Sequence, residues 1–299
     1  MIVKIVRDCL HGACILEQRG VQFMYGKYLK LQEIFQDTVK QCTTNPKLIE
    51  EVKQSVGTQY IVKERDFVEQ NKNKRPYEKS ADLLVSKKKT LEAAQQYKGK
   101  KVAILNFANA INPGGGVVNG AIAQEECICR CSTLYLNLVQ EDMVEHFYKV
   151  HEKDYHKGKL PYGSNDDCIF TPNVVMFKSD VEFPETLPEE EWMAVDVITC
   201  AAPCLIGCNI QEDKLREIHR KRIRKILELA KSEDEEVLIL GAFGCGAFQN
   251  PVELVAEEMV RAVKEYENWF ETVEFAVYCT ERDRRNYEVF FGEVEGWNN

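Results

Sequence analysis

The sequence predicts an α/β protein in which helices cover both faces of a central sheet. Continuous apolar runs of the kind that doubly covered strands show occur at 101–108, 193–203, 236–244 and 273–279. Patterns of helical period lie between them, at about 121–139, 213–231 and 252–268. Strands that alternate with long helices favour a three-layer α/β/α domain, whose ligand sites gather at the carboxyl ends of the strands.

The N-terminal third is predicted to be a helical extension of this domain. Apolar positions from Tyr28 to Thr43 have helical spacing, and Asn45-Pro46 opens a second helix through Val56. Residues 66–79 are polar and predict a solvated loop, and a further helix is expected over 80–97. The segment 168–180 is predicted to be a strand pair or one strand with an approach loop.

We expect one domain, since 299 residues suffice for a single large α/β unit. Residues 1–23 show no clean period, and Met24 is a plausible natural start, so 1–23 are predicted to be a dispensable extension. The domain then spans 24–299, with a helical part at 24–99 and the sheet-containing core at 100–299. The alternative is that apolar residues within 2–6 form an edge strand.

Composition and charge restrict the partners. The chain is 44% hydrophobic and 29% charged, and no 18-residue apolar run is available to cross a bilayer, so no membrane partner is expected. The net charge of -9 disfavours DNA and RNA as partners. A compact anionic ligand held by backbone N–H groups remains compatible with this charge, because such binding depends on local geometry.

The twelve cysteines lie mostly in apolar runs, and no signal peptide precedes them, which predicts a cytoplasmic, reducing location. Two groups have regular spacing, C-x-C-x-C and C-x-x-x-C-x-x-x-C, and neither matches the paired C-x-x-C of a common zinc site. We interpret them as small buried hydrophobic residues and expect no metal, with a metal site as the alternative. They are Cys127, Cys129 and Cys131, and Cys200, Cys204 and Cys208.

Two glycine-rich segments each follow an apolar strand. The first is Gly114-Gly115-Gly116 and the second is "GAFGCGAF" at 241–248. Glycine permits a positive φ and lets backbone N–H groups approach a ligand, so the two loops together are suited to grip a diphosphate. Tight turns without a ligand are the alternative. No Gly-Lys-Ser/Thr and no complete dinucleotide fingerprint is present, which disfavours nucleotide hydrolysis and dinucleotide redox chemistry.

Three polar residues, Gln124, Glu125 and Glu126, begin the helix that follows the first glycine loop. Adjacent helical positions point about 100° apart, so the two carboxylates cannot serve the same ligand atom. One of them is suited to address a reacting bond while the other holds a hydroxyl. The alternative is an ordinary helix start in which Glu126 pairs with Arg130 at i,i+4.

The run from Gly114 to Glu126, three glycines, seven residues and Gln-Glu-Glu, resembles the signature of poly(ADP-ribose) glycohydrolases of the bacterial type. The later run "GAFGCGAFQNP" is similar to the diphosphate-binding loop of that family. The likeness extends from about Gln32 to Phe291. It departs at position 204, where an asparagine is expected after "AAP" and Cys204 stands instead.

The resemblance implies a macrodomain, with a mixed sheet and a cleft for ADP-ribose. It implies that Glu126 is the catalytic acid and base and that Glu125 holds the terminal ribose hydroxyls. It further implies that Asn109 binds that ribose, that the backbones of 114–116 and 244–247 hold the diphosphate, and that Phe248 packs on the ribose. The full set of implied substrate contacts is Asn109, Gly114, Gly115, Gly116, Gln124, Gly244, Cys245, Gly246, Ala247 and Phe248.

The implied reaction is hydrolysis of ribose–ribose O-glycosidic bonds in poly(ADP-ribose), mostly from the exposed chain end, releasing ADP-ribose without a cofactor. A glutamic acid supplies the proton that the departing 2′-oxygen needs, and its carboxylate then activates water. Two alternatives stay open: a macrodomain that binds ADP-ribose without cutting it, and a hydrolase of mono-ADP-ribosyl-protein bonds. The expected partners are therefore poly(ADP-ribose) or ADP-ribosylated proteins; the sequence makes no prediction of oligomeric state.

Overall fold

A computed structural model describes residues 17–66, 68 and 76–298 of the chain. Within them, one seven-stranded sheet is covered by helices on both faces, which confirms the three-layer prediction. The strands are β1 (Tyr60–Val62), β2 (Asp82–Ser86), β3 (Val102–Phe107), β4 (Cys168–Met176), β5 (Met193–Cys200), β6 (Val237–Leu240) and β7 (Thr272–Ala276). The α-helices are α1 (Glu17–Thr44), α2 (Pro46–Thr58), α3 (Thr90–Gln95), α4 (Gln124–Cys131), α5 (Leu134–Leu138), α6 (Glu141–Met143), α7 (Lys149–His156), α8 (Glu212–Ser232), α9 (Val252–Glu265) and α10 (Arg285–Asn298).

The sheet is mixed, as the family resemblance implied. Its strand order is β1-β4-β5-β3-β6-β7-β2. The five strands from β5 to β2 run parallel, whereas β4 pairs antiparallel with both β5 and β1. Because β3 lies between β5 and β6, the loops that follow these three strands leave the same edge of the sheet side by side.

Two separate cores explain why the central strands are continuous apolar runs. Along β3, Ala103 and Leu105 pack into the core formed with α8, α9 and α10, whereas Val102 and Ile104 pack into the core on the opposite face. Successive side chains of a strand point to opposite faces, so a strand covered on both sides requires an apolar residue at every position. The four strands predicted from such runs are all present.

The predicted helix over 121–139 is two helices, because the chain leaves helical geometry at Ser132 and Thr133. Ser132 forms an antiparallel bridge with Met176, and the Thr133 N–H donates to the Val175 carbonyl at 3.0 Å. The backbone here therefore extends the pairing of β4. Along β4 itself the register shifts between Thr171 and Val174, where Asn173 has a φ of +55°.

The predicted helix over 80–97 is wrong. This segment contains the edge strand β2 followed by the short helix α3. Because β2 has only β7 as a neighbour, Leu83 is buried while Leu84 is 45% exposed, and this mixed burial gave no continuous apolar run. The lysine run 87–89 then separates the strand from α3.

Residues 24–99 are not purely helical, since β1 and β2 both belong to the sheet. The predicted first helix is longer than expected: α1 begins at Glu17, so 17–23 are helical rather than irregular, while 1–16 lie outside the described residues. Much of the predicted loop at 66–79 also lies outside them. The helices at 141–156 had no counterpart in the prediction. None of the described helices combines the length and apolarity needed to span a membrane.

Candidate active site

Three loops meet at the carboxyl edge of the sheet, after β3, β5 and β6. The Ala108 N–H donates to the Cys200 carbonyl at 3.0 Å, which ties the loop after β3 to the end of β5. The rings of Phe107 and Phe243 lie 5.6 Å apart, which connects the same loop to the one after β6. The predicted site residues on the first and third loops are therefore brought to one edge.

Gln124 fixes the start of α4 against the end of β3. Its side-chain oxygen accepts the Phe107 N–H at 2.8 Å, and its amide nitrogen donates to the Leu105 carbonyl at 2.6 Å and to the Thr90 hydroxyl at 3.1 Å. Both amide hydrogens are thus engaged within the protein. These bonds place the next two residues beside the first glycine loop, while a substrate contact by Gln124 stays a prediction.

The Glu125 carboxyl is 3% exposed and is bonded through both oxygens. One oxygen accepts the Asn109 N–H at 2.8 Å, and the other faces the Asn106 side-chain nitrogen at 3.3 Å. Burial raises the pKa of Glu125 to about 8; the Asn109 N–H opposes this shift, and the neighbouring Glu126 carboxyl adds to it. Glu125 therefore retains its proton up to a higher pH than an exposed glutamate.

The Glu126 carboxyl is held at one oxygen only. Its Oε1 accepts the Gly116 N–H at 2.8 Å, while its buried Oε2 has no hydrogen-bond partner in the described chain. The alternative pairing with Arg130 is wrong: that guanidinium donates to the Ala121 carbonyl, and no ion pair joins it to Glu126 among the described residues. A buried carboxyl oxygen without a partner is costly unless a ligand or solvent satisfies it.

The first glycine loop folds over these two carboxyls. Gly114 and Gly115 have φ values of +70° and +57°, a region that favours glycine. A Cβ at Gly115 would collide with Glu126 Oε1 and would lie 3.1 Å from Glu125 Oε2. The missing side chain therefore provides the space in which both carboxyl groups sit.

Two N–H groups of the first glycine loop are hydrogen-bonded within the protein. The Gly115 N–H donates to the Asn112 carbonyl at 2.9 Å, and the Gly116 N–H donates to Glu126 at 2.8 Å. In the described structure these two donors are therefore already paired, and the expectation that the backbone of 114–116 holds a diphosphate stays a prediction.

The second glycine loop has the opposite arrangement. Gly244 has a φ of +77°, and in the described chain no acceptor is bonded to the N–H groups of Gly244, Gly246, Ala247 and Phe248. The Cys245 N–H donates to the Ala242 carbonyl at 3.1 Å, so it is already paired within the described chain. Several unpaired backbone N–H groups in one turn form an anion-binding concavity.

The side chain of Asn109 is hydrogen-bonded through its oxygen but not through its nitrogen. Its side-chain oxygen accepts the N–H groups of Ile111 at 2.9 Å and Asn112 at 2.8 Å, which shapes the start of the first loop. Its side-chain nitrogen makes no hydrogen bond within the described residues. This side-chain NH₂ group is therefore the part of Asn109 that is available to a ligand.

Sequence reasoning missed Asn106. This residue is fully buried in β3, and its side-chain nitrogen also contacts the Thr199 hydroxyl of β5 at 3.2 Å. The available signal was a polar residue in the otherwise apolar run "KVAILNFA". An amide in such a position requires polar partners, and here it supports Glu125.

The cysteines differ in exposure. Cys129, Cys131 and Cys200 are buried, as interpreted, but Cys208 is exposed. Across the described residues, no three His, Cys, Asp or Glu side chains are grouped so as to hold a metal ion. Cys204, which stands in place of the expected asparagine, is partly buried, and its N–H donates to the Tyr162 carbonyl at 2.9 Å.

Comparisons with a family model and with solved structures find the same kind of protein, poly(ADP-ribose) glycohydrolases. The family model for the microbial-type PARG catalytic domain matches residues 22–179, which include the first glycine loop and both glutamates. The crystal structure of poly(ADP-ribose) glycohydrolase (PARG) from Thermomonospora curvata is 28% identical, with 88% of this chain and 98% of that chain covered and a TM-score of 0.74. The same enzyme has been solved with the inhibitor ADP-HPD, with identical scores. The Deinococcus radiodurans enzyme in complex with ADP-ribose is 26% identical over 82% of this chain and 97% of that chain, with a TM-score of 0.68. No curated protein matches the chain.

Proposed function

Because the chain belongs to the microbial-type poly(ADP-ribose) glycohydrolase family, we propose that it hydrolyses ribose–ribose bonds of poly(ADP-ribose) with Glu126 as general acid and base. The observation that carries this assignment is the asymmetry of the two carboxyls. Glu125 is bonded through both oxygens, whereas Glu126 keeps one buried oxygen without a partner in the described chain. That oxygen is the one free to meet a substrate atom.

The carboxyl pair supplies the proton that the reaction needs. The bond between C1″ and the 2′-oxygen of the preceding unit breaks, the 2′-oxygen takes a proton, and water forms the new bond to C1″. Burial raises the pKa of Glu125 to about 8, so the carboxyl beside Glu126 still holds a proton at neutral pH. Glu126 delivers a proton to the departing oxygen, and its carboxylate then takes one from the incoming water.

The second glycine loop holds the diphosphate away from the reacting bond. Its unpaired N–H groups at Gly244, Gly246, Ala247 and Phe248 are suited to the phosphate oxygens. Binding there fixes the terminal ribose at the carboxyls, which lowers the entropic barrier to reaction. The side-chain NH₂ group of Asn109 and the half-buried ring of Phe248 contact the riboses.

Family membership favours an enzyme over a protein that only binds ADP-ribose, since the matching family model is that of a catalytic domain. The bond to a protein side chain is the remaining alternative substrate. The enzyme is proposed to act in the cytoplasm without a metal or cofactor. The ten cysteines in the described residues are all free, which suits a reducing compartment.

One assay tests the reaction and the substrate together. The protein is incubated with labelled poly(ADP-ribose) and, separately, with mono-ADP-ribosylated protein, each with and without EDTA, and the products are separated by chromatography. We expect free ADP-ribose from the polymer, released at the same rate with EDTA present. Release only from the mono-ADP-ribosylated protein would replace the proposed substrate, and loss of activity with EDTA followed by rescue with zinc would overturn metal independence.

A further inference from the structure

Asn250 lies under the second glycine loop and joins it to the loop after β5. It is 4% exposed. Its side-chain nitrogen donates to the Gly244 carbonyl at 3.0 Å and to the Pro203 carbonyl at 2.8 Å, and its own N–H donates to the Gly244 carbonyl at 3.1 Å. The Gly244 carbonyl thus accepts two hydrogen bonds from Asn250. This carbonyl belongs to the same turn as the unpaired N–H groups of the second glycine loop.

His219 holds Asn250 from the other side. This histidine of α8 is fully buried, and its Nε2 lies 2.9 Å from the Asn250 side-chain oxygen. Carbonyls only accept hydrogen bonds, so the side-chain NH₂ group of Asn250 must face Gly244 and Pro203, and its side-chain oxygen must face His219. Nε2 therefore carries the proton and donates. Burial lowers the pKa of His219 to about 4, and nearby Arg222 also lowers it, so the ring is neutral at physiological pH.

The packing leaves the loop little freedom to rearrange. A Cβ at Gly244 would lie 2.6 Å from the Asn250 side-chain nitrogen and 2.5 Å from Ala202 Cβ. The His219 ring also packs edge-on to Phe243, with centroids 6.4 Å apart. Donors that are fixed before the ligand arrives bind it without a cost of reorganisation.

We infer that Asn250 and His219 are positioning residues that hold the second glycine loop in its anion-binding geometry and so determine affinity for the diphosphate. Their side-chain hydrogen bonds go to each other and to the Pro203 and Gly244 carbonyls, and none goes to Glu125 or Glu126. Loss of their hydrogen bonds therefore weakens binding of the ground state and the transition state alike. This inference rests on the proposed function.

The first test is Asn250→Asp, which keeps the shape, replaces the donor to the two carbonyls by an acceptor and adds a negative charge; the neutral His219 variants below separate the charge from the lost hydrogen bonds. We expect the Kd for ADP-ribose, measured by calorimetry, and the KM for polymer to rise about tenfold to a hundredfold, the range for lost buried hydrogen bonds. The kcat should change by less than about threefold, as for a loss of uniform binding. Asn137→Asp is the matched control, because Asn137 is equally buried and bonds Ser55 of α2 at 2.8 Å; it should alter thermal stability but not Kd.

The second test separates the hydrogen bond from the packing of the ring. His219→Gln retains an N–H donor and should restore most of the affinity that His219→Leu loses. Equal Kd values for wild type, Asn250→Asp and His219→Leu would overturn the inference alone, as would a fall in kcat at unchanged KM. A wild-type protein that does not bind ADP-ribose would overturn the proposed function and this inference with it.

Discussion

The two glycine loops at the carboxyl edge of the sheet use glycine for different purposes. In the first loop, the Gly115 N–H is bonded to the Asn112 carbonyl and the Gly116 N–H to the Glu126 carboxyl. In the second loop, four N–H groups have no acceptor in the described chain. The first loop therefore organises the chemistry, and the second is available for the anionic part of the substrate.

The space around the glycines also differs between the two loops. A side chain at Gly115 would occupy the space of the Glu126 carboxyl, whereas a side chain at Gly246 would meet nothing within 4 Å. Glycine at 115 is thus required by the folded protein itself. The fold leaves room for a side chain at 246, so we expect glycine there to matter only when a ligand approaches the backbone.

The largest expected effect comes from Glu126→Gln, which tests the chemical half of the comparison. Glutamine keeps an oxygen for the Gly116 N–H but cannot donate an acidic proton. We expect kcat on polymer to fall by at least about 10²-fold, the range for loss of a general acid, with the Kd for ADP-ribose changed only a few-fold. A variant that keeps half of the wild-type rate would contradict the proposal that Glu126 is the general acid and base.

The pair Gly115→Ala and Gly246→Ala compares the loops directly. Gly115→Ala displaces the Glu126 carboxyl and should lower kcat about tenfold or more, since small displacements of catalytic groups have effects of this size. Gly246→Ala should raise the Kd for ADP-ribose at nearly constant kcat and melting temperature. Steady-state kinetics, calorimetry and thermal melts of both variants check this, and an effect on kcat alone at position 246 would contradict the division of roles.

The pH dependence of the wild type tests the proton held by the carboxyl pair. Burial raises the pKa of Glu125 to about 8, so the proton is present below that pH and is lost as the pH rises through it. We therefore expect kcat/KM to fall about tenfold per pH unit above about pH 8. A profile that stays flat to pH 10 would contradict a role for this proton. Glu125→Gln is the control: it lacks the proton at every pH, so it should be slow throughout and show no fall near pH 8.

The smallest expected effect concerns the front of the chain. The buried face of α1 includes Leu31, Ile34 and Phe35, all after Met24. A protein that begins at Met24 should hydrolyse polymer at the full-length rate and melt within a few degrees of it, as a loss of about 1 kcal/mol gives at this size. Insolubility or a melting temperature lowered by more than about 10 °C would show that residues 1–23 are structural.

The fold was predictable where burial is uniform. β3, β5, β6 and β7 lie inside the sheet, so each is a continuous apolar run. β2 was mistaken for a helix because an edge strand exposes residues such as Leu84, and β1 has only three residues. Short or half-exposed strands are stabilised by pairing with distant residues, which local sequence patterns do not contain.

The site was predictable in its residue types but not in its hydrogen bonds. The Gln-Glu-Glu run and the two glycine loops marked the residues that the fold brings to one edge. Which N–H groups remain unpaired depends on backbone torsions and on distant partners. Asn106, Asn250 and His219 had no motif of their own, since their roles exist only through contacts with residues far along the chain.

The division between the loops is tested most directly by a crystal structure of the protein with ADP-ribose bound. We predict phosphate oxygens about 3 Å from the N–H groups of the second loop, at hydrogen-bond distance, with the bond between Gly116 and Glu126 retained. The Glu126 Oε2 atom should face the terminal ribose. A diphosphate bound by the N–H groups of Gly115 and Gly116, with Glu126 released and the second loop unoccupied, would contradict the account.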